Sequence, residues 1–206
     1  MTVIAANVEV PLPSEATVVK VVSTAELGAA LRDTVQGPDG SAGFDALVMA
    51  AAVADFRPVA DARTKLARSD GLTLELESTP DLLAEVARTA HGLDANGDPE
   101  GDPLRPAPIL VGFAAETGSL DRAAEKLSRK GVDLLVANDV AEDGSGFGTD
   151  TNRVSILAAD GSREDLPLQS KRDVAGRLLD RVARSLDERD ASAQTDATTE
   201  PEREPA

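Results

Sequence analysis

Apolar positions in this chain fall into two patterns. In four stretches, Val3–Asn7, Phe44–Pro58, Ile109–Thr117 and Val132–Val140, an apolar run without polar alternation gives way to small residues and then a polar group. Runs of that kind suit strands buried on both faces of a parallel sheet, and Val18–Val22 reads as one more strand. The chain is organised around Phe44–Pro58, which is apolar to Met49, narrows through Ala50, Ala51, Ala52 and Ala54, and ends in Asp55, Arg57 and Pro58. Small side chains let a ligand lie against the backbone where the strand ends, the edge at which open α/β sheets bind ligands. A core strand followed by a charged loop has the same pattern. Its recurrence in the other stretches is what favours several loops converging on one site.

The second pattern is alternation. Leu72–Leu76 and Arg153–Leu157 alternate as strands with one wet face do, and Asp160-Gly161 is a hairpin turn into a strand over Glu164–Leu168. Between the strands lie helical stripes. Ser23 and Glu26 form a capping box before Leu27, Leu31 and Val35, and Gly37–Gly40 ends that helix. Thr79 caps a second helix, with Pro80 in its first turn and Asp81 complementing its dipole. Ser119 caps a third, with Leu120, Ala123, Ala124 and Leu127 on one face and Gly131 as its stop. Ser170 with Asp173 caps a fourth, whose stripe is Val174, Leu178, Leu179 and Val182. The Gly/Asp/Pro-rich segment 92–108 reads as a mobile loop, and 141–152, with Gly144, Gly146 and Gly148 around Phe147, as a flexible one. From Asp187 onward the chain is acidic and aperiodic, which predicts a disordered tail at 187–206 behind one domain at 1–186. The expected fold is α/β: a doubly wound, mostly parallel sheet holding the strands at Val3, Val19, Leu47, Leu110 and Leu134. The alternating strands are expected in a smaller lobe away from its ligand edge.

Composition narrows the chemistry. A formal net charge of −16 over 206 residues argues against nucleic-acid or anionic-membrane partners, and the absence of Tyr and Trp argues against base-stacking platforms. No cysteine is present, so there is no disulfide framework and no thiolate chemistry, which fits a reducing cytoplasm. No apolar stretch reaches membrane-spanning length, and the start lacks a basic leader region. His91, the one histidine, reads as a solvated loop residue. Cations are scarce and cluster as Lys65 with Arg68 and as Lys126, Arg129 and Lys130 at a helix end. The second cluster equally suits a helix dipole or a triphosphate. The Gly144–Gly148 loop lacks the Walker lysine and the GxGxxG spacing, so as a phosphate motif it is weak. No Ser/His/Asp set and no metal-ligand spacing can be assembled. Asp55 is left with three roles: holding a ribose, holding Mg²⁺, or capping its turn.

Five strings carry a resemblance: Ala50–Pro58, Thr79–Leu83, Val111–Thr117, Val136–Val140 and Gly146–Asn152. In unbroken order from Met1 to about Arg184, the chain resembles bacterial phosphopantothenate–cysteine ligase, the synthetase half of the bifunctional coenzyme A biosynthesis protein. The resemblance implies a Rossmann-like fold and activation of 4′-phosphopantothenate by CTP with Mg²⁺. An acyl-cytidylate forms, and L-cysteine then displaces CMP. By match to the motifs, Ala51, Ala52, Asp55, Lys65, Pro80, Asp81, Leu82, Leu83, Phe113, Lys126 and Lys130 would contact CTP. Lys65, stabilising charge on the α-phosphate, would be the nearest to a catalytic residue. A homodimer is implied, with the strands around Leu74 and Ile156 as its dimerisation sheet, and a flavoprotein decarboxylase is a possible further partner. No FMN is expected in this chain.

Two departures stand out. The family's Lys-x-Lys-Lys pattern appears here as Lys65-Leu66-Ala67-Arg68. The strand, glycine-rich turn and helix that open the family's domain, with an asparagine serving the acyl-cytidylate step, have no counterpart at or after Met1. A ligase domain without its first strand and helix is therefore the leading reading. A non-catalytic subunit that binds nucleotide or dimerises is the alternative. A nicotinamide-dependent oxidoreductase is disfavoured, because a GxGxxG turn and a Tyr/Lys pair are both missing. On the leading reading the purified chain forms no amide from CTP, phosphopantothenate and cysteine. Chromatographic detection of the amide would overturn that expectation.

Overall fold

The computed structural model describes residues 1–37, 41–59, 73–116, 121–146 and 148–199. It opens with strands β1 (Thr2–Ala6) and β2 (Thr17–Val21), helix α1 (Thr24–Val35) and strand β3 (Ala46–Met49). Short strands β4 (Phe56–Pro58) and β5 (Leu76–Ser78) precede α2 (Leu82–His91). Strand β6 (Ile109–Glu116), helix α3 (Asp121–Lys130) and strand β7 (Leu134–Asp139) then form a βαβ unit. Strands β8 (Thr151–Asn152), β9 (Ser155–Ala158), β10 (Arg163–Asp165) and β11 (Gln169–Ser170) lead into α4 (Lys171–Thr199).

The main sheet has five strands in the order β10-β9-β7-β6-β3. Its β3, β6 and β7 are parallel, and β9 and β10 are antiparallel additions at one side. Alternation along β6 and β7 sends side chains into two cores. Leu110, Ala114, Leu135 and Ala137 join Leu27, Leu31 and Val35 of α1, Leu83 and Val86 of α2, and Leu127 of α3. Ile109, Val111, Leu134 and Val136 join Ile156 and the α4 residues Val174, Leu178 and Val182 on the opposite face. Helices on both faces make this a doubly wound α/β domain, as the unbroken apolar runs predict. Gly112 belongs to the same design: a Cβ there would come within 2.8 Å of Leu83 Cδ2 and 3.1 Å of Leu135 Cδ1. The bare backbone thus admits the side chain by which α2 packs on the sheet.

Helix boundaries follow local chemistry. Ser23 Oγ accepts from Glu26 N at 3.2 Å and Glu26 Oε2 accepts from Ser23 N at 3.2 Å, the predicted box. Gly131, with φ of 64°, follows the end of α3 in the left-handed conformation that glycine adopts without strain. Ser170 Oγ accepts from Asp173 N at 3.1 Å at the start of α4. The predicted turn at Asp160-Gly161 joins β9 to β10.

Several expectations are corrected. The Ile156 strand, β9, is not in a separate lobe but pairs with β7 in the main sheet. Its apparent wet position, Ser155, is buried, and its hydroxyl bonds the Asp165 carboxylate and the Arg163 guanidinium. Alternation there reflects a satisfied polar group under cover, not solvent. Strands β1 and β2 pair in parallel with each other as a sheet of their own, and share with the main sheet only the α1-side core. The tail expected to be disordered from Asp187 continues α4 to Thr199, docked by Leu186 against the core and by Arg189, which donates to Ala107 O at 3.1 Å. The segment 92–108 is held by Asp94, which accepts from Asn96 N at 2.7 Å and Asp98 N at 2.9 Å, and by the buried Leu104. Strand β5 starts at Leu76 and pairs with β4 away from the main sheet. Leu72, the Gly37–Gly40 stop as a whole, the Ser119 cap, Lys65, Arg68 and Phe147 fall on or across positions outside the described residues. Among the described residues no helix is long and apolar enough to cross a membrane.

Leu135 is fully buried at the centre of β7. Leu135→Ala is expected to cost about 2–5 kcal/mol, the range for emptying a core leucine site. A urea unfolding curve giving a stability loss below about 1 kcal/mol would contradict this packing.

Candidate functional site

The candidate site is built where β3 stops. Its register with β6 ends at Met49 opposite Gly112, while β6 runs on beside β7 until Glu116 lies opposite Asp139. Phe113 to Glu116 therefore overhang β3, and the chain leaving Met49 forms the exposed run Ala50, Ala51 and Ala52 up to Asp55. That run is tied to the entry of α2. Thr79 N donates to Asp55 O at 2.9 Å, and the Thr79 hydroxyl donates to Ala54 O.

Thr79 is consequently not the cap of α2. Asp81 is: its Oδ1 accepts from Ala84 N at 3.2 Å, and Glu85 N donates to Asp81 O at 2.9 Å. The N–H groups of Leu82 and Leu83, in the first turn, have no intrahelical acceptor. The side chains of Leu82 and Leu83 are buried in the core, so only their backbone can meet a ligand. The other Asp81 oxygen, Oδ2, accepts from Lys130 Nζ at 2.6 Å. Four residues earlier on α3, Lys126 Nζ donates to Glu116 Oε1 at 2.5 Å. The end of β6, the start of α2 and the last turns of α3 are thus joined by two ion pairs.

Burial opposes the Asp81 charge, but the Lys130 hydrogen bond, the Ala84 N–H and the charges of Lys130 and Arg129 outweigh it, and its pKa lies below the ordinary aspartate value. Asp133 behaves in the opposite way. Burial raises its pKa despite the hydrogen bond it accepts from Leu110 N at 2.7 Å. It sits at the start of β7, the end of the sheet away from the site, and reads as a structural tie between β6 and β7.

The structure brings together Asp55, Pro80, Asp81, Lys126 and Lys130 around one edge, with Ala51 and Ala52 on the same loop. Phe113 is set apart from them. Alternation puts it on the α4 face of β6 with Val111, whereas Glu116 and Lys126 lie on the α2–α3 face. At 42 % exposure Phe113 is open to a ligand, but one touching both Phe113 and the lysines must cross the end of the sheet. Lys65, the candidate closest to chemistry, lies outside the described residues. The glycine-rich loop is not an open cradle. Asn152 Oδ1 accepts from Ser145 Oγ at 2.5 Å and Gly146 N at 3.2 Å, and Thr151 Oγ1 donates to Gly144 O at 2.6 Å. Sequence reasoning missed Glu116. The one available signal was an acid closing an apolar strand, with a lysine on the following helix.

A cleft of 460 Å³ starts at Asp139, the residue opposite Glu116, and is otherwise lined by residues that include Arg153, Ser155, Arg163 and Asp165. Its arginines are already paired, Arg153 with Glu142 at 2.7 Å and Arg163 with Asp165 at 2.7 Å, and none of the predicted site residues lines it. Volume alone therefore does not make it the better candidate.

Residues 1–186 match the family model described as the DNA/pantothenate metabolism flavoprotein C-terminal domain. The coenzyme A biosynthesis bifunctional protein CoaBC of Bacillus subtilis is 41 % identical over 141 residues, covering 68 % of this chain and 31 % of that protein. CoaBC of Escherichia coli is 31 % identical over 194 residues, covering 92 % of this chain and 43 % of that protein. The chain thus spans about a third to two fifths of the length of these relatives. Among solved structures, the C-terminal domain of a CoaBC superposes with a TM-score of 0.67 at 28 % identity, over 91 % of this chain and 76 % of that one.

Asp81 serves two masters, the helix cap and Lys130. Asp81→Ala is expected to cost about 0.5–2 kcal/mol near neutral pH, as lost caps do. A depressed folded-state pKa stabilises above the unfolded value and is lost as pH falls through the folded one. Wild type should therefore lose this advantage from about pH 4 downward, and the two proteins should converge in acid. Stability curves that stay parallel below that pH would exclude the assignment.

Proposed function

The chain belongs to the DNA/pantothenate metabolism flavoprotein C-terminal domain family, and on that premise we propose that it provides a CTP site for coenzyme A biosynthesis. The reaction served is ligation of 4′-phosphopantothenate with L-cysteine through an acyl-cytidylate. The observation carrying this reading is the convergence, beyond the end of β3, of two lysines with a helix N-terminus. A triphosphate needs cationic donors and backbone N–H groups together, and a small-residue loop beside them admits it to the backbone.

In this reading Lys126 and Lys130 meet the phosphates, the Pro80-Asp81 turn leads into α2, whose Leu82 and Leu83 N–H groups are backbone donors, and Ala51 and Ala52 leave room for the nucleotide. Phe113 walls the base from the far side of the sheet edge, and Asp55 takes the ribose or the metal. Lys65, placed by motif, neutralises charge at the α-phosphate as the acyl-cytidylate forms. Among the described residues no three acidic or histidine side chains come together as a metal site. That donor set fits Mg²⁺ carried on the phosphates with one or two carboxylates better than a protein cage. Among the described residues, Asp55 is an exposed carboxylate at this edge that Lys126 and Lys130 do not engage. The metal would lower the charge of the triphosphate before it meets sites whose own carboxylates partly cancel their lysines.

The chain would act as a homodimer, with a flavoprotein decarboxylase as a further partner. The β4–β5 ribbon exposes Phe56, Val59, Leu74 and Leu76, an apolar surface suited to a second copy. The same ribbon favours a second reading, a subunit that binds nucleotide and dimerises without completing catalysis.

Binding should favour CTP over NAD, require Mg²⁺ and weaken with salt. Lys65→Ala should cost on the order of 1.5–3 kcal/mol of CTP binding, the worth of a hydrogen bond to a charged group. Calorimetry that finds NAD preferred, or CTP affinity unchanged in that variant, would reject the site.

A further inference from the structure

Lysines that receive phosphate are usually pictured as free cations, and here neither described one is. Glu116 ends β6 with its carboxylate 7 % exposed, and Lys126 Nζ is its partner at 2.5 Å. A carboxylate buried to that degree is tolerated only when paired. Its place is fixed by the strand: the Glu116 carbonyl accepts from Val140 N at 2.9 Å, and its residue pairs with Asp139. Lys126 keeps 30 % of its side chain exposed. An ammonium has three N–H donors, so the bond to Glu116 leaves two for a ligand. Lys130 is arranged in the same way, held by an aspartate that the α2 cap immobilises.

We propose that Glu116 is the positioning residue for Lys126 in anion binding, an inference resting on the triphosphate reading above. It acts in two opposed ways. By holding Nζ it removes the rotamer freedom of a four-carbon side chain before the ligand arrives, so that less is lost on binding. By its charge it cancels the lysine and lowers attraction for phosphate. The two effects can be separated by substitution. Glu116→Gln keeps an oxygen acceptor at nearly the same place and removes the charge. Glu116→Ala removes both.

The test is calorimetry on the full chain, titrating inorganic tripolyphosphate and, separately, CTP with Mg²⁺. Glu116→Ala should bind about tenfold more weakly, the scale of one charge-assisted hydrogen bond's worth of orientation. Glu116→Gln should bind at least as tightly as wild type at low salt and lose any gain at high salt. In a Lys126→Ala background neither substitution should have further effect. If both variants weaken together, and do so equally without Lys126, the role is structural and the proposal fails. If wild type binds and Glu116→Ala binds as well as wild type, the proposal fails while the triphosphate reading stands. If wild type binds neither probe, the triphosphate reading fails and takes this role with it. Should Glu116→Ala not fold, the sign of the Glu116→Gln effect and its dependence on Lys126 decide the matter.

Discussion

Burial of β6 and β7 on both faces is the constraint on which the remaining structure depends. A strand covered on one side only can trade polar for apolar residues along its length, but these two cannot. Leu110, Val111, Leu134, Leu135 and Val136 are all within 1 % of complete burial, and the helices must be placed to cover them. From this follow α2 and α3 on one face, α4 on the other, and the glycine at position 112 that lets Leu83 reach the sheet. The same requirement makes polar groups acceptable only where the strands run out, so polar side chains appear along them at Glu116, Asn138 and Asp139 and not before.

The site is what happens to charge at that boundary. Glu116 is still under cover and needs a counter-ion. Asp81 is outside cover but is needed by the first turn of α2. Both needs are met from α3, whose lysines four residues apart face the same side. On the proposed CTP reading, fold stability and ligand binding would draw on the same two ion pairs. The lysines are held where a ligand would want them because the fold requires partners for two carboxylates.

Much of this was legible in the sequence where the deciding physics is local. The Ser23–Glu26 box, the glycine after α3 and the turn at Gly161 involve residues a few positions apart, and each stands where the pattern placed it. What was not legible depended on distant partners. Thr79 and Asp81 are both good caps, and the choice falls to Asp81 because the Thr79 hydroxyl is claimed by the Ala54 carbonyl. Ser155 looked like a solvent position because the cover over it comes from elsewhere in the chain. Phe113 and Lys126 were grouped as one site, and only the parity of β6 reveals that they sit on opposite faces. Position 65 carries the sharpest chemical expectation and lies outside the described residues.

The separate pairing of β1 and β2 has a colloidal side. Strand β1 has β2 along one side only, and β3 ends the main sheet, so among the described residues each leaves a strand edge without a sheet neighbour. Val48 on β3 is exposed as well. Open edges with apolar side chains invite pairing between molecules. What opposes that encounter is the shared negative charge of −16, a long-range repulsion that acts before any two edges touch. Its range is the screening length, which contracts from about 30 Å at 0.01 M salt to about 10 Å at 0.1 M. Dispersal of this chain is thus a property of the medium as much as of the fold. Added salt would shorten the range of that repulsion and bring the edges within reach of one another.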